Sequence, residues 1–342
     1  MTEARAGAGS GASEPAPRRI KPRRLHRGDC VSLVAPSGST TGPDRVAASI
    51  AALENLGFRV KASTHCADSY GYLAGADATR ARELELAFLD PETTAVVCLK
   101  GGYGTPRILD LIDYSLIAAH PKVFLGYSDI TALHAALLRF AGLVVFHGPM
   151  PSSDMVPGFD PDSRASLESA LFGYRPSSSG ASGQPAAQAP FRIRNPGNRP
   201  FRRIAGGIAE GELAGGNLSL VASLMGTPWE PDMEGKILLL EDIDEAPYRI
   251  DRMLNQLRLA GVFERCAGVA IASWTRCEAA KGKPSLALEE ILRDLILPSG
   301  KPILAGIEAG HGVPSLTLAL GTRHRMDADS LALEMLESPY EE

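Results

Sequence analysis

Short apolar runs alternate with segments of helical periodicity over the first 150 residues of the chain. The runs "CVSLVA", "TAVVCLK" and "KVFLG" are typical of strands buried on both faces, whereas "PDRVAASIAALENLGF" repeats its apolar residues at helical spacing. Such alternation is typical of a parallel sheet covered by helices. We therefore predict an α/β fold whose N-terminal domain, residues 29–150, contains a parallel sheet.

The same alternation resumes after residue 203. The runs "KILLLED" and "GVAIASW" predict buried strands, and "PYRIDRMLNQLRLAG" predicts an amphipathic helix. This pattern indicates a smaller C-terminal α/β domain over residues 204–330.

Three segments lack the alternation. Residues 151–203 are predicted to be a linker, because they include a Ser/Gly/Ala/Pro-rich insertion over residues 177–190. Residues 1–28 are rich in Gly, Ala, Pro and Arg and predict a disordered basic tail. Residues 331–342 are predicted to form a C-terminal tail.

Composition narrows the classes of function. A formal net charge of -5 argues against a nucleic-acid partner, which normally requires a basic face. The first residues lack the apolar core of a secretory signal, and no segment approaches the roughly 20 apolar residues of a membrane span. The 5 cysteines are scattered without zinc-ligand spacing. We expect a cytoplasmic protein with no membrane partner, no metal and no cofactor.

One hydroxyl lies where an apolar run meets a helix. In "KVFLGYSDITALHAALLRF", Ser128 follows a predicted strand, and Gly126 permits a tight turn before it. Ser128 is either a helix cap or a nucleophile whose neighbour, Asp129, offers a backbone N–H to an oxyanion. The second glycine of the hydrolase elbow is replaced by Ile130, so the local sequence alone favours the cap.

A glycine-rich loop follows another predicted strand. In "KGGYG", the residues Gly101, Gly102 and Gly104 allow backbone N–H groups to approach a ligand. The loop is either an oxyanion or anion cradle or an ordinary turn. It lacks the spacing of a phosphate-binding loop.

A nucleophilic serine requires a base and a carboxylate. Of the 7 histidines, two have suitable settings: His147 ends the run "LVVFHGPM", and His311 lies between two glycines in "EAGHGVPS". Each is a candidate base or a structural histidine. His324, flanked by arginines, is predicted to be exposed.

The run "KILLLED" ends in two carboxylates, which need partners where they leave an apolar strand. Glu241 is a candidate to orient the histidine. Asp242 is predicted to pair with Arg249 or Arg252 on the following helix.

Six motifs together resemble the bacterial LD-carboxypeptidases, a serine peptidase family. They are "KGGYGTPRILDLID", "GYSDITALH", "HGPM", "GGNLSLVASLMGTPW", "KILLLEDIDEAPYRIDRMLNQL" and "GHG", between about Asp29 and Asp327. The resemblance implies an N-terminal parallel-sheet α/β sandwich followed by a smaller, swivelling-type α/β domain. It also implies a catalytic triad of Ser128, Glu241 and His311.

The resemblance extends to the substrate. It implies removal of the terminal D-alanine from murein tetrapeptides through an acyl-enzyme, with the oxyanion held by the amides of Asp129 and a loop glycine, of which Gly102 is preferred. Further candidates for substrate binding are Gly101, Arg107, His147 and Asn217. Because members of the family are often dimers, the resemblance also favours a homodimer.

Three alternatives remain open at this level. A peptidase of the same family could cleave aminoacyl-nucleotide conjugates, as in microcin C self-immunity. Two α/β lobes also suit a non-catalytic protein that binds a small ligand. A metallohydrolase is disfavoured because no H-E-x-x-H motif occurs.

Overall fold

A computed structural model of the chain describes residues 19–156, 158–173 and 190–341. Within these ranges, fourteen strands and nine α-helices are formed. The strands are β1 (Cys30–Val34), β2 (Arg59–Ala62), β3 (Ala95–Cys98), β4 (Val123–Gly126), β5 (Val145–His147), β6 (Phe191–Ile193), β7 (Arg202–Ala205), β8 (Ile208–Asn217), β9 (Ile237–Ile243), β10 (Gly268–Thr275), β11 (Ile303–Ala305), β12 (Leu318–Leu320), β13 (Arg323–Asp327) and β14 (Ala332–Met335). The α-helices are α1 (Pro43–Glu54), α2 (Asp77–Leu89), α3 (Tyr114–Ala119), α4 (Thr131–Ala136), α5 (Pro161–Phe172), α6 (Leu218–Ser223), α7 (Pro247–Leu259), α8 (Val262–Arg265) and α9 (Leu288–Ile296).

The first sheet has the strand order β12-β5-β4-β3-β1-β2. Strands β1 to β5 are parallel, as the apolar runs predict. Every residue of β3 and β4 is buried, because helices cover both faces of a parallel sheet. The carboxyl ends of these strands meet at one edge, where ligands of open α/β sheets bind.

The edge strand of this sheet comes from the far end of the chain. Strand β12 pairs antiparallel with β5, with Leu318 opposite His147 and Leu320 opposite Val145. The sequence pattern assigned "SLTLALG" to the C-terminal domain, and the structure corrects that assignment. A short apolar run fits either sheet equally well, since its pairing partner is decided by tertiary contacts.

The second sheet has eight strands in the order β6-β14-β13-β8-β9-β10-β11-β7. Its centre, β8 to β11, is parallel, and antiparallel strands flank it on both sides. Strand β9 is buried from Ile237 through Asp242, which places two carboxylates in the interior. The α/β fold with two sheets confirms the predicted fold class.

Part of the predicted linker is structured. Helix α5 begins after Asp160, whose side chain accepts a hydrogen bond from the Ser163 N–H at 2.8 Å. Its residues Leu167 and Leu171 are buried in a core with Leu25, which belongs to the predicted N-terminal tail. The linker prediction rested on the Ser/Gly/Ala/Pro composition of residues 177–190, which lie outside the described residues apart from the last.

Two features are absent from the described ranges. None of their helices is both long and apolar enough to cross a membrane. No group of three or more His, Cys, Asp or Glu side chains in the same ranges is arranged to hold a metal ion. The five cysteines are all buried and unpaired in disulfides.

We expect Leu320→Ala to destabilise the protein by about 2–5 kcal/mol, because it leaves a cavity where β12 closes the first sheet. The matched control is Leu259→Ala, at a leucine that is 71% exposed and should change stability by less than about 0.5 kcal/mol. Urea unfolding followed by circular dichroism measures both. Equal midpoints for the two variants would mean that β12 contributes nothing to this core.

Candidate active site

Ser128 lies on a strained turn at the end of β4. Its φ of 64° falls in the left-handed region, which is uncommon for residues other than glycine and is associated with functional sites. A 3-10 turn, Ser128–Ile130, leads into α4, and neither start has a side-chain capping hydrogen bond. The hydroxyl therefore does not act as the helix cap that the local sequence favoured.

Packing explains why Ile130 replaces the second glycine of the hydrolase elbow. A Cβ on Gly126 would lie 2.9 Å from Cγ2 of Ile130, so the one glycine and the isoleucine fit together. Ile130 is fully buried. The turn thus obtains its tight approach from Gly126 while Ile130 fills the space.

Three side chains from distant parts of the chain form a hydrogen-bonded series. His311 Nε2 lies 2.9 Å from Ser128 Oγ, and His311 Nδ1 lies 2.7 Å from Oε2 of Glu241. Glu241 is fully buried on β9, while the His311 side chain is 11% exposed. A neutral ring that donates Nδ1–H to Glu241 presents an unprotonated Nε2 to Ser128. The arrangement can thus take the serine proton and stabilise the imidazolium that results.

The glycine before the histidine is required by contact with the carboxylate. Gly310 has a φ of +96°, and a Cβ on it would lie 2.4 Å from Oε2 of Glu241. Gly312 is also tightly placed, because its Cβ would lie 2.8 Å from Oγ of Ser273. The two glycines that flank His311 therefore let this loop pack closely against Glu241 and Ser273.

The surroundings of His311 favour its protonated form. Burial of the ring by itself lowers the pKa, but the hydrogen bond and the negative charge of Glu241 outweigh it, with smaller contributions from Asp242 and Asp154. The pKa of His311 is therefore raised above its ordinary value of 6.5.

The glycine-rich loop packs directly on the serine turn. A Cβ on Gly101 would lie 2.9 Å from Cβ of Ser128 and 3.4 Å from the backbone nitrogen of Asp129. Gly102, with a φ of +115°, is exposed beside it. The amides predicted to form an oxyanion hole, those of Asp129 and Gly102, thus belong to segments that lie against each other at Ser128.

The side chain of Asp129 links the serine turn to two neighbouring loops by hydrogen bonds. It is fully buried, and its Oδ2 accepts hydrogen bonds from Ser37 Oγ at 2.6 Å and from the Thr105 N–H at 2.8 Å. Sequence reasoning missed both partners. Ser37 and Thr105 lie in "APSGST" and "KGGYGTPR", two loops that follow predicted strands, so their position at the same sheet edge was the available signal.

The side chains predicted to bind substrate differ in their exposure and in their bonding partners. Arg107 is half-exposed and forms an ion pair with Asp77, with Nη2 at 2.7 Å from Oδ2. Asn217 is buried, caps α6 through its oxygen and donates from Nδ2 to Asp242. His147 is fully buried, and burial lowers its pKa to about 4. Asn217 thus has a structural role. Roles in substrate binding stay predictions for all four candidates, which are Gly101, Arg107, His147 and Asn217.

Within the described part of the chain, Asp242 pairs with no arginine. Its Oδ1 accepts from Nδ2 of Asn217 at 2.9 Å, and its Oδ2 accepts from the Ser219 N–H at 2.9 Å. These neutral donors, rather than Arg249 or Arg252, are its partners, and the prediction was wrong. The carboxylate leaves β9 toward the start of α6, where unsatisfied backbone N–H groups are available.

The predicted exposure of His324 was also wrong. This residue is fully buried on β13, and its Nδ1 lies 2.9 Å from the backbone oxygen of Thr322. The flanking Arg323 and Arg325 point outward because side chains alternate along a strand.

Two sheets of α/β type, with a serine, a histidine and a buried carboxylate in contact at the edge of the first sheet, are the features of a hydrolase. Sequence profiles described as the LD-carboxypeptidase N-terminal domain and the LD-carboxypeptidase C-terminal domain match residues 31–148 and 210–326. The chain belongs to the LD-carboxypeptidase family.

Individual relatives match over nearly the whole chain. A probable murein peptide carboxypeptidase of Bacillus subtilis is 42% identical, over 90% of this chain and 91% of the relative. The microcin C7 self-immunity protein MccF of Escherichia coli is 27% identical, over 91% and 94%. The crystal structure of muramoyltetrapeptide carboxypeptidase from Oxalobacter formigenes has a TM-score of 0.76 at 27% identity, covering 90% of this chain and 97% of that chain.

We expect Gly310→Ala to lower carboxypeptidase activity by roughly 100-fold, because the new methyl group displaces the carboxylate that orients His311. Gly282→Ala is the matched control, since Gly282 also has a positive φ, +76°, but a Cβ there meets nothing within 4 Å. Steady-state kinetics and urea unfolding of both variants separate the contact from backbone strain. Similar losses in the two variants would contradict the role given to Gly310.

We expect the C2 proton of His311 to titrate with a midpoint above 6.5, and Glu241→Gln to lower that midpoint because the negative charge is removed. If His311 acts as the predicted base, it must be unprotonated, so activity should fall as the pH drops through the same midpoint. Nuclear magnetic resonance measures the titration, and Glu92→Gln, at an exposed carboxylate paired with Lys61, is the control. A midpoint that Glu241→Gln leaves unchanged would contradict this account.

Proposed function

We propose that the protein is a serine LD-carboxypeptidase that removes the terminal D-alanine from murein tetrapeptides during peptidoglycan recycling. The observation that carries the proposal is the hydrogen-bonded series of Ser128, His311 and Glu241. It occurs in a chain that is 42% identical to a probable murein peptide carboxypeptidase. Ser128 is the proposed nucleophile, His311 the base and Glu241 the residue that orients it.

The first half of the proposed reaction forms an acyl-enzyme. Ser128 Oγ attacks the carbonyl carbon of the bond before D-alanine while its proton passes to Nε2 of His311. The carbonyl electron pair moves onto oxygen, and the amides of Asp129 and Gly102 stabilise that negative charge. The C–N bond then breaks as the imidazolium returns its proton to the departing amine.

The second half releases the shortened peptide. A water molecule gives a proton to His311 and attacks the ester carbon, forming a second oxyanion at the same amides. When the ester C–O bond breaks, the proton passes from His311 to Ser128 Oγ. The products are D-alanine and a tripeptide with a new carboxyl group.

The surroundings of Glu241 support this division of roles. A buried carboxylate is unfavourable unless it is paired, and Glu241 has the imidazole of His311 as its partner. The pair becomes an ion pair when His311 takes the serine proton. The attraction therefore increases at the step where charge develops, which is the requirement for catalysis by differential stabilisation.

We expect incubation with murein tetrapeptide to yield tripeptide and free D-alanine, and Ser128→Ala to abolish this turnover because the nucleophilic oxygen is removed. Mass spectrometry detects the tripeptide, and D-amino-acid oxidase detects the released alanine. Ser285→Ala, at an exposed serine in a loop, is the matched control and should retain full turnover.

Two results would contradict the proposal. Turnover by Ser128→Ala at the wild-type rate would remove the nucleophile. Tight binding of tetrapeptide without hydrolysis by the wild-type protein would instead favour a non-catalytic protein that binds a small ligand.

A second candidate function is cleavage of aminoacyl-nucleotide conjugates. It is favoured by 27% identity to the microcin C7 self-immunity protein MccF over 91% of the chain. An aminoacyl sulfamoyl adenosine incubated in parallel provides the comparison. Release of the amino acid from this compound, with no D-alanine from tetrapeptide, would favour the second candidate over the first.

A further inference from the structure

Tyr127, the residue before the nucleophile, fills the space between two histidines. Its ring centroid lies 4.8 Å from that of His311 and 5.7 Å from that of His147. Tyr127 is only 4% exposed, and its backbone is extended where β4 enters the turn. The ring therefore restricts how the imidazole of His311 can rotate.

The phenol of Tyr127 is hydrogen-bonded to the carboxylate of Asp154. Its hydroxyl donates to Oδ1 of Asp154 at 2.8 Å, and the second oxygen of Asp154 accepts from the Met150 N–H at 2.7 Å. Asp154 lies in the helical turn Pro151–Met155, which follows β5. Adjacent strands β4 and β5 thus bring Tyr127 and Asp154 together at the edge of the sheet that carries Ser128.

A hydrogen bond that only held Tyr127 in place would not require the Asp154 carboxylate as its acceptor. A buried phenol needs one acceptor, and a backbone carbonyl supplies it elsewhere in the chain, where Tyr114 donates to the oxygen of Leu109. Burying a charged carboxylate costs more free energy than burying a neutral carbonyl. Burial accordingly raises the pKa of Asp154. Its negative charge is the property that a carbonyl lacks.

That charge acts on His311 together with others. The ionisable groups that interact with the imidazole come from β9 and the turn after it, from β5 and the turn after it, and from the residue after β4. They are Glu241, Asp242, Asp244, His147, Asp154 and Tyr127. Glu241 makes the direct hydrogen bond, and Asp154 acts through space from the helical turn after β5.

We propose that Tyr127 and Asp154 are a pair of positioning residues, in which the Tyr127 ring holds the His311 imidazole in line with Ser128 and Glu241 while the Asp154 carboxylate stabilises the imidazolium. The inference rests on the proposed function, because it assigns the pair an effect on the proposed base. Both residues act through His311, Tyr127 by ring contact and Asp154 by its charge, and are therefore positioning residues.

Asp154→Asn tests the charge of the carboxylate, and Tyr127→Phe tests the hydrogen bond that links the ring to it. Asp154→Asn keeps the volume and an acceptor for the phenol but removes the charge, so the midpoint of the His311 titration falls. With tetrapeptide as substrate, we expect kcat on the pH plateau to drop roughly tenfold, with KM almost unchanged. Tyr127→Phe keeps the ring and breaks the link to Asp154, so its effect on kcat is in the same direction.

Two control variants remove comparable groups elsewhere. Asp160→Asn removes the charge of the half-buried carboxylate that caps α5, and Tyr114→Phe removes the phenol that donates to a carbonyl. Both should leave the His311 midpoint and kcat unchanged.

The outcome is decided by the titration, which needs no substrate. A lower His311 midpoint in Asp154→Asn supports the inference, even if wild-type protein fails to release D-alanine and the proposed function falls. An unchanged midpoint, with or without a loss of stability in urea, overturns it and leaves the pair a structural hydrogen bond. A midpoint shift of equal size in Asp160→Asn also overturns it.

Discussion

The hydrogen bonds from His311 to Ser128 and to Glu241 connect the two sheets, and they persist only while the sheets keep their relative position. Ser128 follows β4 of the first sheet, whereas Glu241 lies on β9 of the second. His311 lies on the segment that leaves β11 in the second sheet and enters β12 in the first. Because this crossing segment is anchored in a strand at each end, the imidazole occupies a fixed position between the nucleophile and the carboxylate.

Local patterns predicted the parts of the structure that depend on neighbours in the chain. The apolar runs predicted the buried parallel strands β1, β3 and β4. The serine after β4 was recognised as a nucleophile candidate because a tight turn joins a buried strand to a helix. Glu241 and His311 were found as a carboxylate leaving an apolar strand and a histidine between glycines. Grouping them with Ser128 required the longer motifs shared with the family, since spacing alone could not bring residues 128, 241 and 311 together.

Long-range contacts account for what the sequence patterns did not predict. Asp242 is bonded by Asn217 and Ser219, which meet it only after β8 pairs with β9. The contact between Gly310 and Glu241 depends on the approach of a loop to strand β9, which is far from it in the chain. Asp154 carried no signal, because a lone aspartate in an irregular segment is typical of a solvated turn. In each case the missing information was which backbone segments lie side by side.

Strand β12 also affects how the chain can be divided. It covers the outer edge of β5 with residues that follow the C-terminal sheet's parallel strands. A fragment ending between the two segments matched by the family profiles would leave the backbone N–H and C=O groups on the outer edge of β5 unpaired, while its inner edge still pairs with β4. Such open edges recruit strands from other molecules. Without β12, the N-terminal half therefore has an open strand edge at which copies of it can pair.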